Sequence, residues 1–429
     1  MPPVSWRGGG PSLWQATAEP SPHCPPLAGE VESAVAIVGA GYTGLSTALA
    51  LAEGGVAAVV LETGEPGGGA SGRNGGQVIP GIRHFPDELE AAFGREAGRR
   101  LYEFGLGTAD AAFALIERHG IRCDAGRTGW VQPADKPSSM DASRRRVEQW
   151  RRMGHPARML DRDEMAHVLG SRAYLGGWTL PGGGTVQPLS YARGLARAAL
   201  AAGVRIHGGT PAIGIEPAGE RWRVVTPGGS VVAGRILLAT NALADGLWPP
   251  LSRGLLPVWS FQVATSPLSP HDLARVLPGR PAVSDTREVL RYFRLDRDGR
   301  LVIGGKGRLG GPRGMGSFGL QRRMLRRLYP GLADQPIEHG WGGQVAITLD
   351  RLPRVHELAP GVLASIGCNG KGVALCSALG RPLAEALSGR PLAELPLAAA
   401  PLRPIPLHGL RPFHIAAGSA WMKVKDWLA

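Results

Sequence analysis

The sequence predicts an α/β protein with an α+β second part: a Rossmann-like parallel-sheet domain assembled from separated segments, and a domain built on an antiparallel sheet. Three observations carry this reading. Near the N-terminus a glycine turn separates a short β-branched strand from an alanine/leucine helix. Strand and helix patterning returns twice, over residues 188–242 and 362–387. Between these runs, residues 256–305 alternate like strands joined by tight turns.

The first turn is Gly39-Ala40-Gly41-Tyr42-Thr43-Gly44. The strand Ala34–Val38 precedes it and the helix Leu45–Ala52 follows. A second strand, Ala57–Leu61, ends on Glu62. This is the order of a dinucleotide-binding βαβ unit. Gly39 permits the tight turn, Gly41 lets a pyrophosphate approach, and Gly44 lets helix and strand pack closely. Tyr42 and Thr43 open the helix, whose N-terminus offers free N–H groups and partial positive charge to phosphate. Glu62 is placed to accept hydrogen bonds from an adenosine ribose. A lone G-x-G-x-x-G arises by chance in a chain with 64 glycines; the flanking elements give this one its meaning.

Ala70-Ser71-Gly72-Arg73-Asn74-Gly75-Gly76-Gln77 follows where a plain NAD domain would place another helix. Arg73 could neutralise a pyrophosphate or hold a flavin edge, and Asn74 and Gln77 could hydrogen-bond the ring. Gly, Ser and Asn also favour ordinary surface turns. Near the C-terminus Gly367-Cys368-Asn369-Gly370-Lys371-Gly372-Val373 again joins a strand to a helix. A cation at such a helix start opposes the dipole, so Lys371 either points to solvent or meets an anion. Pro382 should kink the helix that follows.

GAGYTGLSTALALAEGG, ASGRNGGQV and GCNGKGVALC together resemble the FAD-dependent amine and amino-acid oxidoreductases of the D-amino-acid-oxidase superfamily. Within it the motifs resemble those of the gamma-glutamylputrescine oxidoreductase group. The resemblance covers the chain from about Val31 onwards. It implies FAD as cofactor, held by the residues of the three motifs and by Ala212, Ile213 and Thr240. It also implies that the late turn meets the pyrimidine edge of the flavin, and that Trp341–Pro353 crosses the substrate side. Relatives that tether FAD do so through a cysteine in that segment. This segment has none, which implies non-covalent FAD. Relatives commonly carry an aromatic at Cys368, a histidine at Lys371 and a basic residue at Gln344. The implied chemistry is hydride transfer from an amine or amino acid to flavin N5, giving an imine, then an aldehyde or keto acid. Oxygen, with peroxide formation, or another carrier would take the electrons. An inactive flavin-binding module is the rival class.

Tyr292 and Lys306 on the antiparallel strands, and Trp341, are the candidate substrate-binding residues. For Tyr292 and Lys306 a solvent-facing strand position is the favoured reading, and for Trp341 a core aromatic is an equal alternative. No residue is obliged to act as a base, so no catalytic residue is named. The expected plan is a flexible segment 1–30, FAD-binding parts 31–80, 184–245 and 337–395, substrate-domain parts 81–183 and 246–336, and an extension 396–429.

The net charge of +13 comes mostly from arginines scattered among glutamates in predicted helices, which argues against nucleic acid as partner. Four cysteines, without C-x-x-C spacing or histidine partners, predict neither a metal site nor structural disulfides. No run approaches the ~20 apolar residues of a membrane span. A cytoplasmic protein without a signal peptide is the expectation.

Overall fold

The computed structural model describes residues 11–244, 246–397 and 399–428. Two eight-stranded sheets organise them. In the first, Gly29–Val38 is central, with Gly229–Leu238 on one side and Ala58–Leu61 on the other, both parallel to it. Arg205–His207 and Val362–Ile366 extend the two sides in parallel, and Arg354–Ala359 closes one edge antiparallel. Val35–Val38, Ala58–Leu61 and Ile236–Leu238 are buried throughout. Continuous apolar runs of this kind are what a strand covered on both faces requires.

The hairpin expected across Pro227 and Gly228 is present, with Val224 opposite Val231. Its second strand runs on without a break to Leu238, so two predicted strands are one. The strand expected at Ala212 begins at Gly214. The last helix is two, Gly372–Ala378 and Gly380–Leu387. Pro382 lacks an N–H and its ring would clash with the carbonyl of Ala378; the first helix stops at that residue. The second packs so tightly on Tyr42–Glu53 that a Cβ on Gly380 would come within 2.6 Å of Ser46.

The second sheet draws on both predicted insertions. Its order is Ile337–Ile347, Leu256–Pro267, Arg300–Lys306, Arg291–Leu295, Ala282–Ser284, Trp130–Ala134, Gly176–Leu180 and Arg158–Leu160. The insertions join where Ala282–Ser284 runs parallel to Trp130–Ala134. Two expected boundaries are corrected. Residues 337–347 are the edge strand of this second sheet, paired with Leu256–Pro267, and the chain re-enters the first sheet only at Arg354. The N-terminal segment is not merely a lead-in: Leu13 and Trp14 are buried. The Trp14 indole N–H donates to the carbonyl of Asn74 (2.8 Å), and its ring meets Trp341 edge-on. Residues 1–10 of that predicted segment lie outside the described residues. No helix among the described residues is long and apolar enough to cross a membrane.

Candidate active site

The first glycine turn is dictated by steric contact. Gly39 has φ +108°, and a Cβ there would lie 2.9 Å from the carbonyl oxygen of Ala239. A Cβ on Gly44 would lie 1.9 Å from the Gly39 oxygen. Gly41 caps the helix without a side chain, and the first turn holds no acidic residue. That leaves helix-start N–H groups and partial positive charge for an anion. Glu62 accepts from the N–H of Ala40 (2.8 Å) and Gly64 (3.0 Å), which pins its carboxylate at the strand end. Burial pushes its pKa up, against those two hydrogen bonds. Thr210 N–H donates to the Glu62 carbonyl, so residues 210–213 pass beside this acid. Ile213 is 60% exposed there. Thr240 follows Ala239 against the Gly39 turn.

The loop Ala70–Gln77 is fixed by its own side chains. Ser71 Oγ takes the Tyr42 N–H (3.1 Å), and the Tyr42 hydroxyl donates to the carbonyls of Ser71 (2.6 Å) and Pro188 (3.0 Å). Asn74 Oδ1 accepts from Gly76 N–H (2.7 Å), while its amide donates to Ser71 O (2.7 Å) and Ala70 O (3.2 Å). These bonds shape the loop. Gln77 donates to Val283 O (2.9 Å) and Phe293 O (3.3 Å), tying the loop to the second sheet. Ser71, Arg73, Asn74, Gly75 and Gln77 line a cavity; Gly72 and Gly76 turn away from it, against Leu189 and Val186.

That cavity measures about 370 Å³ and is walled opposite the loop by the second sheet. Tyr292 and Lys306 both face it. The Tyr292 ring is held between Gly75 and Gly304, where a Cβ would come within 2.7 and 2.0 Å of it. Its hydroxyl bonds Ser260 Oγ (2.8 Å), and burial pushes its pKa up, so it stays neutral. Trp341 is not on the wall. Its ring is buried behind the loop, donating to Arg73 O (3.0 Å), while the later residues Gly343–Val345 of the same strand line the cavity. The C-terminal helix Arg411–Leu428 closes the cavity with His414, Ile415 and Met422.

At the late turn, Gly370, Gly372 and Val373 line the cavity as expected, but Lys371 does not. Its ammonium turns away, donating to Pro80 O (3.1 Å) over the Trp130 ring (5.5 Å). The half-buried ammonium therefore lies outside the cavity in which the flavin edge was expected to meet it. Asn369 fixes the turn, accepting from Thr348 N–H (3.1 Å) and donating to Gly367 O (2.6 Å). Cys368 hydrogen-bonds Cys376, which holds the Cys368 thiol below its ordinary range. Sequence reasoning missed Arg294. It is buried, donates to Gly76 O (2.8 Å) and Val186 O (2.7 Å), and clamps the glycine loop. An arginine between the buried Phe293 and Leu295 of the strand Arg291–Leu295 was its signal.

A turn shaped for pyrophosphate, an acid beside it, and a cavity between a glycine loop and an antiparallel sheet define a flavoprotein. The chain matches the DAO family, FAD dependent oxidoreductase, over residues 34–386, and belongs to it. It is 37% identical over 383 residues to "Probable oxidoreductase OrdL" of Rhizobium meliloti (strain 1021), covering 88% of each chain. It is 32% identical over 417 residues to gamma-glutamylputrescine oxidoreductase of Escherichia coli (strain K12), covering 92% of this chain and 93% of that one. Its fold matches glycine oxidase from Geobacillus kaustophilus (TM-score 0.71, 23% identity, 84% of this chain and 96% of that one). It also matches iminodiacetate oxidase from Chelativorans sp. BNC1 (TM-score 0.69, 20% identity, 86% and 99%). The chain is an FAD-dependent oxidoreductase.

Proposed function

We propose that this enzyme oxidises the C–N bond of a small amine or amino acid. The observation that carries the reading is the cavity itself: the glycine loop and the late turn on one side, Tyr292 and Lys306 on the other. FAD, when bound, supplies the acceptor for the hydride that leaves the carbon next to nitrogen. The helix start at Gly41–Gly44 and Glu62 would hold its pyrophosphate and ribose, and Gly370–Val373 its ring edge. The chain's own contribution is then to bind and orient. Tyr292, neutral and fixed by Ser260, offers a wall that cannot drift. Lys306, half-buried at the end of its strand, places positive charge facing the loop, which suits a substrate carboxylate. The C-terminal helix limits water. The imine product hydrolyses in water to an aldehyde or keto acid.

The flavin is held without a covalent link, since no cysteine lies between Trp341 and Pro353. Acid precipitation should leave the yellow colour in the supernatant. An anaerobic screen of amines and amino acids for flavin bleaching tests the function. Admitting oxygen afterwards and measuring peroxide distinguishes oxygen from a carrier as acceptor. A fully flavinated protein that no amine or amino acid bleaches would refute the proposal.

A further inference from the structure

We infer that a second, cationic chamber beside the flavin cavity binds a carboxylate carried by the substrate at the end remote from the oxidised C–N bond. This rests on the amine-oxidation reading above. The chamber measures about 750 Å³. It shares a wall with the flavin cavity: Arg83, Glu288, Arg351, Asn369 and Gly370 line both. A linear molecule with its amine against the glycine loop can therefore extend past Gly370 into it.

Its charge is one-sided, with seven Lys and Arg side chains against four Asp and Glu. The acids are already engaged. Glu288 is shared by Arg83 (2.9 Å) and Arg351 (3.0 Å). Asp285 accepts from the N–H of Arg291 (3.0 Å) and faces Arg287 (3.8 Å). Asp426, on the C-terminal helix, takes the N–H groups of Glu288 and Val289 (2.9 and 3.1 Å). Glu88 accepts from Phe85 N–H (2.7 Å). Among the described residues four of the seven cations have no salt bridge: Lys136 bonds the Lys425 carbonyl (3.1 Å), Lys425 lies over the Trp421 ring, and Lys371 and Arg146 are the other two. Among the described residues no carboxylate lies within salt-bridge distance of Lys371 or Arg146. Lys371 has the Pro80 carbonyl and the Trp130 ring, and Arg146 has the carbonyls of His84 (2.9 Å) and Arg83 (2.5 Å) and the Phe85 ring. Burial, together with Arg146 and Arg83, pushes Lys371 down to about 7. A carboxylate placed among these groups reverses that repulsion.

The indole donors agree. Trp130, Trp150 and Trp178 line the chamber. Trp130 donates to Ser284 (2.7 Å) and Trp178 to Gln132 (3.0 Å). Trp150 is 3% exposed, and its N–H has no partner; Thr286 Oγ1, also buried, has none either. Buried polar groups are normally hydrogen-bonded. An unmet donor in a chamber whose cations lack carboxylate partners is a receptor for an acceptor-only group.

The test uses the holoenzyme with ω-amino carboxylates of increasing chain length and n-alkylamines of matching length. Anaerobic flavin bleaching should give a KM about tenfold lower for the acid of spanning length than for its alkylamine, the equivalent of about 1.4 kcal/mol. Lys371→Met should erase most of that preference, and Lys371→Arg should restore it. Calorimetry with glutarate adds a readout independent of turnover. Glutarate should bind the wild type in competition with the amine, and bind Lys371→Met more weakly. Equal KM values for acid and alkylamine, or a preference unchanged in Lys371→Met, would overturn the inference. Glutarate that binds without competing would make this a separate anion site and would equally overturn it. If no amine of either class bleaches the flavin, the oxidation reading fails; Lys371-dependent glutarate binding would then still establish the anionic receptor.

Discussion

The molecule contains two strand–turn–helix units rich in glycine, and they are built on different principles. In the turn at Gly39–Gly44, backbone presses on backbone: a Cβ at Gly44 has no room beside the Gly39 carbonyl. Its helix runs unbroken for 12 residues. In the turn at Gly367–Gly372, a Cβ on Gly370 would meet nothing within 4 Å. Shape there comes from side chains, Asn369 on Thr348 and Gly367, and the helix is 7 residues long. Where sterics decide, a motif reports its own geometry. Where side-chain partners decide, the same-looking motif directs its residues according to what is packed around it, as Lys371 demonstrates.

Substitutions can break this contrast, and the largest effect is expected at the first turn. Gly44→Ala places a methyl group in contact with backbone that cannot yield. It should cost about 3 kcal/mol and abolish FAD retention, measured by thermal melts and by flavin content. A normally flavinated Gly44→Ala protein of wild-type stability would remove the steric argument.

Glu62→Ala comes next. Loss of charge-assisted hydrogen bonds worth about 1.5–3 kcal/mol should weaken FAD affinity roughly tenfold to hundredfold, read by titrating the apoprotein. Unchanged affinity would make Glu62 only a brace for Ala40 and Gly64.

Asn369→Ala should cost about 1–2 kcal/mol, because it removes the bonds to Thr348 and Gly367 at a residue with φ +50°. Asn369→Gly keeps the backbone geometry and isolates the side-chain part. If both variants melt with the wild type, the second turn does not depend on this side chain.

The last prediction concerns Lys371 and pH. Its folded-state pKa, about 7, lies below the ordinary lysine range that the unfolded chain has. Between those values the unfolded chain binds a proton that the native chain does not, so stability rises with pH across that window. Below about pH 7 the penalty for burying the ammonium is fully present. Lys371→Met should flatten this slope in denaturation measured from neutral to alkaline pH. It should leave the flavin reduction potential at the wild-type value, since the ammonium bonds Pro80. A lowered potential would return Lys371 to the flavin edge.

What could be read from the sequence follows the same division. The glycine turn, its strands, Glu62 and the hairpins were legible because backbone sterics and apolar periodicity act between near neighbours in the chain. Gly75, Gln77, Tyr292, Lys306 and Gly370, singled out in the sequence, line one cavity, since strand alternation and turn chemistry set which way each presents itself. Asn74 and Trp341, each in a predicted motif, serve to hold the loop, a distinction made by partners 60 and 268 residues away: Trp14 on Asn74 and Arg73 on Trp341. Trp14 itself lay in a Pro- and Gly-rich string whose composition gives no sign of burial. By itself the sequence determined the βαβ unit, the two-sheet α/β plan and the family. Only the tertiary structure decided which side chains face the cavity, that the C-terminal helix covers it, and that Lys371 belongs to a second chamber. Side-chain direction and cavity charge depend on contacts that exist only once distant segments have packed.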